Sequence, residues 1–182
     1  VFYTYNGDRI STLPGSTTAI RADTLGWYCF KYSDDNGRTW SAQRTRVPVR
    51  VTACDLANQW GGKVQLFWGI DKPKVQQGVV RFAFTKLGRY FLENGEGWMI
   101  ESDNLLTERD PDKLRFVTLP DGEHGIRNAA YGSVQEEHNL VPLAGDDLFC
   151  VYRRNEQTPM QSYSRDGGRN WSLPERMTYG PG

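Results

Sequence analysis

Ser33-Asp34-Asp35-Asn36-Gly37-Arg38-Thr39-Trp40 and Ser164-Arg165-Asp166-Gly167-Gly168-Arg169-Asn170-Trp171 are two copies of one pattern, Ser-x-Asp-x-Gly-x-x-Trp. Each follows an aromatic-rich alternating stretch and leads at once into a serine and a short polar-apolar run. The residue types describe a turn. Asp35 and Asp166 can accept hydrogen bonds from the backbone of their own loop, as Asx side chains do. Gly37 and Gly168 supply the positive φ that such a turn needs. Trp40 and Trp171 are then expected to fold back as apolar plugs between neighbouring sheets. Each copy predicts a stabilised β-hairpin turn, and the repetition predicts a repeating β architecture.

These residues resemble the Asp-box, or BNR repeat, of the sialidase superfamily of β-propellers. The resemblance implies an all-β fold of four-stranded antiparallel blades. It gives Ser33, Asp35, Gly37, Trp40, Ser164, Asp166, Gly168 and Trp171 a structural role on outer turns, away from the active site. A third, degraded copy lies between the two. Trp98-Met99-Ile100-Glu101-Ser102-Asp103-Asn104 keeps the strand and the Ser-x-Asn, and Leu114-Arg115-Phe116-Val117 stands where the closing aromatic and last strand belong. Ser33, Ser102 and Ser164 are 69 and 62 positions apart, about one blade plus insertions per repeat. The expected blades are 1–52, 53–120 and 121–182. A propeller ring needs about four blades or more, so the chain is expected to be roughly three blades of a six- or seven-bladed ring, with open sheet edges.

Within the third repeat, His138–Leu143 reads as the innermost strand and Leu148–Arg154 as the second, separated by the turn residues Ala144-Gly145-Asp146-Asp147. Met160–Ser164 leads into the box and Pro174–Thr178 closes the unit. In the second repeat Val64–Gly69 reads as an inner strand. Val79–Lys86 alternates apolar and polar residues and is expected as a strand or hairpin arm of a long insertion ending near Gly95.

In such a blade the loops from strand 2 to 3, and from strand 4 to the next strand 1, leave one end, and the box turns leave the other. Substrate sites collect where connecting loops converge. Tyr131-Gly132-Ser133-Val134-Gln135-Glu136-Glu137-His138 is the densest candidate there. Strand alternation puts Glu136 and His138 on one face and Glu137 on the other. Glu136 or His138 is a candidate for proton transfer, the alternative being that Glu137 and His138 satisfy groups between blades. Tyr131 joins them as a catalytic candidate. Arg153, Arg154, Arg127, Arg21 and Lys72 are candidate substrate-binding cations, because a guanidinium fork matches a carboxylate. His124, in a Gly-flanked loop, is expected to be solvated.

What the resemblance implies for function is a carbohydrate-active enzyme that hydrolyses terminal acidic sugars. Two alternatives stay open: a polysaccharide lyase cleaving beside a uronic acid, and a non-catalytic glycan-binding propeller. Fold alone does not choose among them. An extracytoplasmic location, secreted or periplasmic, is implied as well.

Composition fits this picture. Aromatics make up 13% of 182 residues, a sheet-like share. With 22 basic and 22 acidic residues the formal net charge is zero, so bulk charge points to neither nucleic acid nor an anionic membrane. No apolar run approaches a membrane span. Two histidines and scattered carboxylates lack metal-ligand spacing, and no cofactor is expected. Cys29, Cys54 and Cys150, an odd number among β-prone neighbours, are expected as buried free thiols.

Overall fold

Alternating runs build the sheets. In Val79–Arg89, Phe82 and Phe84 enter one apolar core while Ala83, between them, enters another. The computed structural model describes residues 1–21, 25–154 and 158–178, apart from the side chains of Leu25, Gln135 and Glu136. Strand makes up 40% and helix 6%, so the protein is mostly β. Its sheets are antiparallel and none closes on itself.

The strands fall into three successive units. The first holds β1 (Phe2–Tyr5), β2 (Leu25–Phe30) and β3 (Thr45–Arg46), with β2 in the middle. A linker carrying the short helix α1 (Ala53–Leu56) leads to the second. That unit is β4 (Gln65–Trp68), β6 (Val79–Arg89), β7 (Glu93–Ser102) and β8 (Val117–Leu119), paired in that order, with β5 (Lys74–Gln76) as a side arm on β6. Leu25↔Leu66 and Gly26↔Gln65 join the first two units along one edge. The third is a meander of β9 (Val134–Pro142), β10 (Leu148–Arg154), β11 (Pro159–Ser164) and β12 (Glu175–Arg176).

Two sequence expectations change. Val79–Lys86 is not part of an insertion: it lies inside the second strand of its unit, paired with β4 and β7, and the inserted element is β5 alone. β9 starts four residues earlier than the sequence suggested, so residues 134–137 are already in the strand. Beyond β8, the chain bulges out over residues 120–125 and returns at Ile126, which pairs with Gly97 of β7.

The units stack face to face. Tyr28 and Phe30 of the first meet Phe82, Phe84, Trp98 and Ile100 of the second in one apolar core. Ala83, Met99 and Leu119 of the second meet Leu140, Leu148, Cys150 and Met160 of the third in another. The cysteines are free and buried, as expected.

The box turns follow one hydrogen-bond scheme. Thr39 N–H donates to Asp35 Oδ1 (2.8 Å), Asn170 N–H to Asp166 Oδ1 (2.9 Å) and Arg115 N–H to Asn104 Oδ1 (2.9 Å). Ser33 and Ser164 hydroxyls donate to the same aspartates and accept from Gly37 and Gly168 N–H. Gly37 and Gly168 have φ of 84° and 93°. Backbone and side-chain donation from Thr39 pulls the Asp35 carboxyl down to about 2. For Asp166 burial pushes upward, and the bonds from Asn170 and Ser164 outweigh it. Trp171 packs against the core between the second and third units, as a plug should. Trp40 does not: it is 46% exposed. The third box packs on the second unit, through Gly168 against Met99, and Phe116 of the second lies against the first.

Asp166→Ala should therefore cost about 1–3 kcal/mol in chemical denaturation, and Trp171→Ala about 3–5 kcal/mol. Trp40→Ala should change stability by less than about 1 kcal/mol. Equal losses at Trp40 and Trp171 would contradict the packing described here.

Candidate functional site

Strand direction sorts the candidates. The box turns leave one end of the units, and the linkers 47–64 and 120–133 and the β6–β7 turn leave the other. Lys72 lies between β4 and β5, on the box end, and is exposed. A first-to-second-strand connection shares that end, so Lys72 is separated from the other candidates. Its neighbour Gln76 confirms the position, donating to the carbonyls of Leu143 (3.0 Å) and Gly145 (2.7 Å) in the corresponding turn of the third unit.

At the linker end the centre of the charge network is Glu96 of β7, only 2% exposed. Its carboxylate accepts from Gly125 N–H (2.9 Å) and lies 3.2 Å from His124 Nδ1 and 3.3 Å from Arg127 Nε. These partners come from the bulge 120–125 and the residues just after it. Arg50 clips the bulge from the preceding linker by donating to the carbonyls of Pro120 and Gly122. Gly125 is there because a Cβ would stand 2.6 Å from Trp98 Nε1. Arg127 is thus oriented by a buried anion at its Nε while its side chain stays 45% exposed. An arginine so held can offer its terminal nitrogens to a carboxylate without first losing rotamer freedom. Sequence reasoning missed Glu96. His124 is mostly exposed, as expected, although its ring touches Glu96.

Beside this network lies a fully enclosed ion pair. Lys86 Nζ donates to Asp55 Oδ2 (2.7 Å), Thr52 Oγ1 (3.2 Å) and the Arg50 carbonyl, and it lies 4.9 Å from the centre of the Trp98 ring. Lys86 and Asp55 are both 0% exposed. Burial pulls the lysine's pKa down and Asp55 works against that pull. Asp55 Oδ2 also accepts from Thr52 N–H, capping α1. The pair fastens the 47–64 linker to the sheet.

The remaining candidates divide into separate groups. The Tyr131 ring lies between two guanidiniums, 5.5 Å from Arg154 and 5.2 Å from Arg176. Arg153 pairs across the strands with Glu137 (3.1 Å), on the face turned away from His138. Arg21 donates its backbone N–H to the Tyr90 hydroxyl oxygen (2.8 Å between the heavy atoms) and sets its guanidinium 5.0 Å from the Phe91 ring. Glu136 is in β9, and its side chain lies outside the described residues. A small cleft of about 190 Å³ between Asn94, Gly95, Arg127, Gly132 and Ser133 opens beside the residues linking Arg127 to Tyr131.

His138 meets another sheet rather than the converging loops. It is 1% exposed, with Nδ1 3.3 Å from the Phe84 carbonyl of the second unit and Nε2 3.2 Å from Cys150 Sγ. Burial pulls its pKa down to about 4. This geometry favours the packing role that the sequence left open over proton transfer. Among the described residues, no group of three potential ligands is placed to hold a metal ion, and no helix is long and apolar enough to cross a membrane. No protein family, curated protein or solved structure matches this chain.

Two measurements check the buried groups. The folded-state pKa of His138 is below the unfolded 6.5, so its neutral form favours folding. That contribution is complete above about pH 6.5 and is lost as pH falls towards 4, by about 3 kcal/mol in total. His138→Gln should flatten this part of the stability–pH curve, and an unchanged slope would place the titration elsewhere. Asp55→Ala should cost about 3–5 kcal/mol because Lys86 is left buried without its anion. Adding Lys86→Met to it should restore much of that loss.

Proposed function

We propose that this chain is about three blades of a six- or seven-bladed Asp-box β-propeller of the sialidase superfamily, acting on glycans that end in an acidic sugar. The observation carrying this reading is the repeated box turn, hydrogen-bonded alike at one end of three successive antiparallel units stacked face to face. It leaves the other end free for ligands, and there a buried carboxylate holds Arg127 half-exposed.

In this reading Arg127 grips the substrate carboxylate, Arg154, only 4% exposed, backs the Tyr131 ring from beneath the surface, and Glu136 transfers the proton. Arg21 and Arg153 supply further positive charge at the same end. His138 supports the interface between units, which favours hydrolysis over a lyase that would use this imidazole as its base and leaves Tyr131 as the base a lyase would use. A second reading, a propeller that binds acidic glycans without cleaving them, is favoured by Glu96 and Glu137, since both already face arginines.

Product analysis separates these readings. Hydrolysis releases free sialic acid from sialosides, a lyase leaves unsaturated ultraviolet-absorbing ends on uronate polysaccharides, and a binding module gives saturable binding without either product. Arg127→Ala should lower kcat/KM on acidic substrates by about tenfold to a hundredfold, the loss of a charged hydrogen-bonded contact. Glu136→Gln should lower kcat by about 10²–10⁴-fold. Absence of product and of binding on all acidic glycans tried would sink the proposal.

A further inference from the structure

A second cleft, reaching from the 120–133 linker along the flank to the third box turn, points to a further binding site. It has a volume of about 340 Å³ and runs between the bulge of the second unit and the third box turn. Arg127 and His124 line one wall, Arg169 and Asn170 the other, and Trp171 and Pro174 form part of the lining between them. The two walls are tied together by Asp121 N–H donating to the Arg169 carbonyl (3.2 Å).

The chemistry of the walls is specific. Arg169 is 51% exposed, and its nearest carboxylates, Asp121 and Glu101, stand at 3.8 and 3.9 Å, beyond hydrogen-bond reach. Arg127 approaches Glu96 through Nε, with its side chain 45% exposed. Both guanidiniums therefore have donors to give. Asp121, itself largely exposed, is the described carboxylate among the lining residues, against two arginines and His124. Trp171 spends its indole N–H on the Gly168 carbonyl (2.9 Å), so what it offers the cleft is apolar ring surface. Leu173, 72% exposed, extends that surface at the rim.

We infer that this flank cleft binds a uronate-bearing oligosaccharide, its carboxylate held between Arg127 and Arg169 and its sugar ring against Trp171. A planar carboxylate suits a guanidinium fork, and an apolar ring face suits the C–H face of a sugar. The site shares Arg127 with the linker-end reading above and adds Arg169 and Trp171 of the third unit, which that reading does not use. Its binding is measured without any turnover.

The test is titration of the full chain with galacturonate trimer, its methyl ester and inorganic phosphate, followed by calorimetry and tryptophan fluorescence. The acid trimer should bind saturably and the neutral ester at least about tenfold more weakly. Arg169→Gln should weaken the trimer by about tenfold or more while melting as the parent does. Trp171→Phe, which keeps an aromatic ring, should remove most of the fluorescence change and retain calorimetric binding. Three results would each overturn the inference: no saturable binding at millimolar trimer, parental affinity in Arg169→Gln, or phosphate binding as tightly as the trimer. A protein silent towards sialosides but passing this test would lose the hydrolase reading above and keep the flank site.

Discussion

Everything in this molecule hangs on one side-chain oxygen accepting a backbone N–H across a turn. Asp35, Asn104 and Asp166 each supply it, and the distance varies by only a tenth of an ångström across the three turns, from 2.8 to 2.9 Å. The turn fixes where the outer strand begins and which way the following aromatic residue points. Phe116 and Trp171 then pack against the preceding unit, and the stack of sheets forms around those contacts. Gly168 shows how tight the arrangement is, since its backbone passes directly over Met99 of the neighbouring unit.

The turns were legible in sequence because their chemistry is local. Asp35 and Asp166 bond a backbone group four residues on, within the motif itself. Even the degraded copy could be found, because Ser102 and Asn104 keep their places although the bonded Arg115 is eleven residues away. Strand alternation also gave the faces of Glu137 and His138 correctly. It did not say whether a face meets water or another sheet, and for His138 that distinction decides its chemistry. Glu96 escaped notice for a related reason. Its partners lie 28 and 29 residues on, in a bulge positioned by Arg50, which is 70 residues from the carbonyl it holds. No periodicity in the sequence encodes such an arrangement. Lys72 is separated from the other cations by strand order alone, since it follows the first strand of its unit.

Two buried charged groups sit behind the linker end, and neither is there for stability in the simple sense. Removing an ion pair such as Lys86–Asp55 from water costs much of what its attraction returns. Its gain is positional. It fastens the 47–64 linker at a single depth, which sets Arg50, which in turn holds the bulge that brings Arg127 to Glu96. A hydrophobic replacement could fill the space but would not fix that chain of contacts.

The middle turn differs from its neighbours in one atom. An amide nitrogen in Asn104 stands where Asp35 and Asp166 have a second carboxylate oxygen, and an amide does not take up a proton in the accessible acid range. Its N–H group donates instead to the Lys113 carbonyl, which helps to close the longer loop. The two aspartates must be ionised to accept as they do, and their lowered pKa values record that requirement. Acidification therefore acts on the box bond itself in the first and third turns, and in the second on Asp103 and Asp110, which hold Arg115 and Asp112 beside that bond. Among the three box bonds, the one in the central sheet has an acceptor that does not titrate.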